Sequence, residues 1–92
     1  MAKTWYRTQD GMADYSFDFH RNWWSGNYKV YIDSQPSYRG WDSGLAATHR
    51  LVDGGRYYVC WTDPITSEED ARQIASLWAD NTQKYIRTGR RF

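Results

Sequence analysis

Residues 66–89 read TSEEDARQIASLWADNTQKYIRTG, and the fold class follows from this stretch. Ala71, Ile74, Ala75, Leu77, Trp78, Tyr85 and Ile86 recur at three- and four-residue spacing, which gathers them on one stripe of an α-helix. Thr66 and Glu69 have capping-box spacing, and Glu68, Glu69 and Asp70 place negative charge at the positive end of the helix dipole. Lys84 and Arg87 sit near the last turn, and Gly89 is a natural stop. The pattern predicts a helix over 66–88. Its apolar stripe must be buried against another layer, and the chain before it alternates like β-strands.

Immediately upstream, Leu45–Val52 and Arg56–Trp61 read as two strands joined by Asp53-Gly54-Gly55. A two-residue loop sets Leu51 beside Tyr58 and mixes charge with apolar groups on both faces. A three-residue loop pairs Leu51 with Tyr57, His49 with Val59 and Ala47 with Trp61, leaving Thr48, Arg50, Val52, Arg56, Tyr58 and Cys60 opposite. The second arrangement separates core from surface better and is the expected register.

Further back, Tyr15, Phe17 and Phe19 alternate with Ser16, Asp18 and His20. Ser25-Gly26-Asn27 then suggests a turn into a strand, Tyr28–Asp33, whose apolar set is Tyr28, Val30 and Ile32. Ser34–Gly44 reads as loop, and residues 1–14 as either a short first strand around Trp5-Tyr6-Arg7 or a flexible arm. The expectation is one α+β domain over 1–92: a three- to four-stranded antiparallel sheet, a meander of hairpins, packed on one C-terminal amphipathic helix. One helix covers one face of such a sheet. Phe17, Phe19, Val30, Ile32, Val59 and Trp61 are expected to meet it, while Lys29, Tyr31, Arg50, Arg56 and Tyr58 face away.

Composition narrows the function classes. Twelve Lys and Arg against eleven Asp and Glu give no global field of the kind that marks a nucleic-acid binder. A single cysteine, Cys60, excludes an internal disulfide and fits a reducing compartment. No apolar run resembles a signal peptide or a membrane span, so a cytoplasmic protein with no membrane partner is expected. The chain carries 6 Trp, 8 Tyr and 3 Phe against only ten Val, Ile and Leu. A core built on Tyr and Trp needs partners for its O–H and N–H groups, which suits a sheet with one face open.

Chemistry is sparse. Cys60 with His49 is the one conceivable nucleophile and base pair, and in the expected register their side chains point to opposite faces. Asp14, Asp18 and His20 share a strand face, but strand neighbours two apart are too far from one another to chelate a metal alone. Two His and one Cys do not make an ordinary zinc site, and no glycine-rich phosphate loop occurs. No cofactor or metal is expected, and no enzymatic activity.

The positive signal is recognition chemistry. Lys29, Tyr31, Arg50, Arg56 and Tyr58 on the open face, with Tyr38, Arg39 and Trp41 in the long loop, are of the types enriched at binding hot spots. They point to a protein-binding module of accessory, regulatory or inhibitory type, whose partner is another protein or a second copy of the chain. Stand-alone chains of this size without catalytic motifs are frequent among phage and mobile-element products. The alternative is a nucleic-acid-binding domain that uses the sheet face, with Lys84, Arg87, Arg90 and Arg91 as phosphate contacts. The open-face assignment further expects that removing Tyr31 and Tyr58 leaves the fold intact.

Overall fold

The computed structural model describes residues 3–92, so the Met1-Ala2 end of the first segment lies outside the described residues. The chain is an α+β protein: one antiparallel sheet backed by a C-terminal helix. The strands are β1 (Thr4–Arg7), β2 (Asp14–Arg21), β3 (Tyr28–Ser34), β4 (Arg50–Asp53) and β5 (Arg56–Val59). There are five rather than three or four, because residues 4–7 pair with β2. The spatial order β1-β2-β3-β5-β4 departs from a meander. After β3 the chain crosses to the far edge, forms one helical turn, α1 (Leu45–Thr48), and returns through β5 between β3 and β4.

The helix α2 (Glu68–Thr88) forms where the apolar spacing places it. Its N-cap is Ser67 rather than Thr66: the Ser67 side chain accepts from the Asp70 backbone N–H at 3.1 Å, leaving Thr66 outside the helix. Gly89 closes the helix in the left-handed region at φ 73°.

The core is aromatic, as the composition requires. Trp78 lies edge-on to Tyr15 and Phe17, with ring centroids 5.9 and 6.1 Å apart, and donates its indole N–H to the Thr48 carbonyl at 3.0 Å. Val30, Val59, Ile65, Ile74 and Ala75 complete the cluster, with Phe19 and Ile32 partly buried against it. Trp61 is not part of this core; it sits half exposed beside the helix.

The polar tips are satisfied at the sheet–helix seam. Tyr6 Oη donates to Asp80 and Tyr15 Oη to Gln83. Burial, with the Asp80 carboxylate close by, pushes the Tyr6 phenol up to about 12, and burial raises Tyr15 and Tyr38 as well. A raised phenol pKa in the folded state favours the neutral form. That stability is complete below the unfolded value near 10 and drains away as pH climbs through the folded values. Between roughly pH 10 and 12, tyrosinate absorbance is therefore expected to rise together with loss of the near-ultraviolet circular dichroism of the core. Complete tyrosinate formation, Tyr6, Tyr15 and Tyr38 included, while the near-ultraviolet signal of the core is still intact would contradict the placement of these phenols.

Two sequence expectations fail between β3 and β5. Leu45–Thr48 is a helical turn, not strand; it ends at His49, which takes φ 52° and donates its backbone N–H to the Leu45 carbonyl. The β4–β5 hairpin uses the two-residue loop, with Leu51 opposite Tyr58, Val52 opposite Tyr57 and Asp53 opposite Arg56. Gly54 and Gly55 both take positive φ, 57° and 81°, the turn whose twist matches the strands it joins. The apparent mixing of charge and apolar groups is resolved by burying Arg50. Its guanidinium donates to Thr48 Oγ1 and the Ser43 carbonyl and lies over the Tyr57 and Tyr38 rings at 4.0 and 5.0 Å.

Among the described residues, no helix is long and apolar enough to cross a membrane.

Candidate functional site

Pleat alternation sends Trp5, Arg7, Asp14, Asp18, His20, Lys29, Tyr31, Leu51, Asp53, Arg56 and Tyr58 to the sheet face opposite the helix, as the cross-strand pairs show. Tyr31 is the centre of this outer face. It stands opposite Asp18 on β2 and Tyr58 on β5, with the Tyr58 ring edge-on at 5.9 Å and the His20 ring at 6.3 Å. The Arg56 guanidinium lies over the Tyr31 ring at 4.1 Å and bridges Asp18 and Asp33 at 3.1 and 3.2 Å. On the other flank Lys29 pairs with Asp53 at 2.9 Å, sits over Tyr58 at 4.8 Å, and shares Asp53 with the Tyr31 phenol.

Asp33 follows Lys29 and Tyr31 on the same face by alternation and reaches Arg56 from there; β3 carries an extra residue at this point, Ser16 pairing with Ser34 but Phe17 with Ile32.

These contacts make the face a fixed, charge-compensated plate. The Lys29 hydrogen bond holds the Asp53 carboxyl below its ordinary range, and Asp18 with Asp33 raises the Arg56 guanidinium. Arg7, Lys29 and Arg56 are each ion-paired, against the four acids Asp14, Asp18, Asp33 and Asp53. Asp18 is only 9% exposed, and its Oδ1 accepts from no described group. One strand away from this unpaired acceptor, Trp5 projects from β1 with 63% of its surface exposed.

The structure brings together Lys29, Tyr31, Arg56 and Tyr58 among the residues expected on an open face, and withdraws Arg50. That residue is 7% exposed on the helix side, where the two-residue turn puts it. The loop aromatics also have internal duties. Tyr38 is buried against Tyr85, and Trp41 donates its indole N–H to the Ile86 carbonyl at 2.9 Å while its ring lies against Gly89. Only Arg39 of that trio points wholly to solvent, at φ 55°. Tyr31 is itself nearly covered, by Arg56 and its neighbours, so removing it with Tyr58 is expected to cost stability rather than to spare the fold.

The C-terminal cations do not form one patch. Arg87 is paired with Asp10 at 3.1 Å and Arg91 with Asp42 at 2.6 Å, while Lys84 and Arg90 are exposed. Contrary to the opposite-face expectation, His49 and Cys60 line one small cleft, of about 120 Å³. No hydrogen bond joins them: the Cys60 backbone N–H donates to the His49 carbonyl, and His49 Nε2 meets the Phe92 carbonyl oxygen beneath a stacked Phe92 ring. Asp14 and Asp18, expected on one face, are each turned to a separate arginine. Among the described residues, no three His, Cys, Asp or Glu side chains converge on a metal position.

One aromatic feature lies outside every set that strand alternation singles out. Trp23 and Trp24, in the loop between β2 and β3, are 75% and 81% exposed and stack on each other at 4.3 Å. Adjacent residues cannot share one face of a strand, so two consecutive Trp just before a Ser-Gly-Asn turn are the signal that marks a tip. Set against family models, curated proteins and solved structures, the chain matches none of them.

Proposed function

We propose that this chain is a small cytoplasmic protein-binding module of accessory, regulatory or inhibitory type, and that the outer sheet face is its binding surface. The observation that carries the reading is the Tyr31–Tyr58–Arg56–Lys29 plate beside the exposed Trp5. Trp, Tyr and Arg supply large contact area at low ordering cost when they are already held in place. Here the holding groups are Asp18, Asp33 and Asp53. A partner that lays an apolar group beside Trp5 gains contact area on a surface whose charges are already compensated.

The same charge pairing favours a protein over a nucleic acid. Phosphate binding draws its affinity from unpaired cations, and the three on this face would each have to leave an aspartate. Cys60 as the sole cysteine suits the cytoplasm.

The test uses Trp5→Ser and Tyr58→Ala, which change the exposed Trp5 and the half-buried Tyr58 and leave Tyr31 and Arg56 in place. Trp5→Ser is expected to keep the wild-type melting curve and Tyr58→Ala to lower it modestly, while both lose the partner captured by the wild-type chain. Salt-sensitive binding of generic DNA or RNA at about 50 mM salt that fades by about 200 mM would instead support the nucleic-acid reading.

A further inference from the structure

We propose that the Trp23–Trp24 tip docks into a cleft on a second copy of this chain, so that the protein is a two-fold dimer. The proposal goes beyond the outer-face reading: the tip lies outside that face, and the cleft borders it at Lys29 and Tyr58.

The tip is built rather than loose. Asn22 Oδ1 accepts from the backbone N–H groups of Trp24 and Ser25 at 2.9 and 3.3 Å. The Asn22 N–H donates to the Asn27 carbonyl at 2.8 Å and the Gly26 N–H to the Asn22 carbonyl at 2.7 Å. Gly26 closes the loop at φ 75°. Docking such a loop costs little further ordering. No acid occurs between Asp18 and Asp33, whereas that segment carries His20, Arg21 and Lys29. Lys29 is committed to Asp53, and Arg21 is exposed with no ion pair among the described residues.

The complementary surface lies beside it. The ladder between β3 and β5 has a single residue pair, Tyr31 with Tyr58. Below that pair the two segments diverge, rejoined only where the Tyr28 N–H donates to the Ile65 carbonyl at 2.8 Å. The gap is a cleft of about 250 Å³, lined by Tyr28, Val30, Tyr58, Trp61 and Ile65, with Asp63 at its rim. A second hollow, of about 220 Å³, continues past Trp61, Pro64 and Ile65 to Asp70 on α2. Asp63 and Asp70 are exposed, and neither is ion-paired among the described residues. Lys29 also lines the cleft but is committed to Asp53, so the unpaired charges of this surface are acidic where the tip carries the unpaired Arg21.

A second copy is the occupant these features favour, because tip and cleft share Asn27 and Tyr28 and so lie at the same end of the molecule. An isologous interface needs both halves in one patch; donor and acceptor surfaces at opposite ends would instead build filaments. The areas agree. Two largely exposed indoles offer on the order of 300–400 Å² per tip. Two tips with the walls they cover reach roughly 1,200–1,600 Å², the range of a specific interface.

Sedimentation of the full chain across the micromolar range is expected to show a concentration-dependent dimer. Trp24→Ser should be monomeric with an unchanged melting curve after correction for dimer loss, since neither tip indole touches the core. Arg21→Glu and Asp63→Arg should each weaken self-association about tenfold. An equimolar mixture of those two variants should recover it, because each tip then meets a cleft of opposite charge. A wild-type monomer at every concentration overturns the proposal, as does a dimer indifferent to Trp24→Ser or a mixture that does not recover. Binding of the monomer, through Trp24, to single-stranded oligonucleotide or to anionic vesicles overturns it in favour of those occupants. Trp5, on the edge strand β1, lies away from the cleft, so Trp5→Ser is expected to leave self-association unchanged, and loss of partner capture is read apart from loss of the dimer.

Discussion

Trp78→Ala is expected to leave the protein largely unfolded at physiological temperature. Trp78 is the one large side chain of α2 that reaches both Tyr15 and Phe17, and it is almost fully buried. Truncation removes two edge-to-face contacts and opens a cavity under the centre of the sheet, a change that typically costs about 3–5 kcal/mol. It also leaves the Thr48 carbonyl without its indole donor at a site closed to water. A domain of this length holds roughly 5–14 kcal/mol in total, so the melting temperature should fall by about 15–30 °C. Trp78→Phe keeps much of the volume but not the N–H and should fall between. Thermal melts followed by near-ultraviolet circular dichroism distinguish the three. A small shift for Trp78→Ala would mean that the helix is not packed on the sheet through this residue.

Arg50→Ala is expected to cost about 2–4 kcal/mol, a value for a buried hydrogen-bonded group and not for a surface arginine. The Arg50 guanidinium fills the space between Tyr38 and Tyr57 and supplies the donors for Thr48 Oγ1 and the Ser43 carbonyl. Through Ser43 and Thr48 it ties the long loop and α1 to the sheet. Arg50→Lys should recover little, because an ammonium cannot reach both acceptors while lying flat on the tyrosines. Urea denaturation measures both variants. A loss below about 0.5 kcal/mol for Arg50→Ala would return this residue to the surface and contradict the two-residue register.

The contrast between these two residues marks what sequence pattern carries and what it leaves out. Trp78 belongs to a stripe repeated over six turns of helix, with acids at one end and Gly89 at the other, and every level of local preference agrees there. β2 and β3 are legible for the same reason: their aromatic alternation runs long enough to define a face. At 45–59 the elements are four residues long, and binary pattern cannot choose between two registers. Sorting charge from apolar residues favours the longer loop. The Gly54-Gly55 pair chooses the shorter one, and the buried arginine it demands is tolerated only because Ser43, Thr48 and two tyrosine faces surround it.

The candidate site divides along similar lines. Lys29, Tyr31, Arg56 and Tyr58 were readable because alternation fixes their face. Which aspartate locks which cation comes from tertiary pairing across strands that no local pattern reports. Tyr38 and Trp41 have hot-spot chemistry in a loop, yet they pin that loop to the end of α2. Gly89 permits this: a Cβ there would come within 2.8–2.9 Å of the Trp41 ring. Trp23 and Trp24, which belong to no alternating set, are the most exposed large aromatics of the described chain.

The most direct test of the binding-face assignment is photo-crosslinking in cognate cell lysate. A photoreactive phenylalanine analogue is placed at Tyr58 on the outer face and, as a control, at the exposed Lys84 near the C-terminal end of α2. A discrete adduct at position 58 with a protein other than this chain, absent at position 84, insensitive to nuclease and abolished by Trp5→Ser, is the predicted result. Equal labelling at both positions, or a position-58 adduct that disappears with nuclease, would contradict the account.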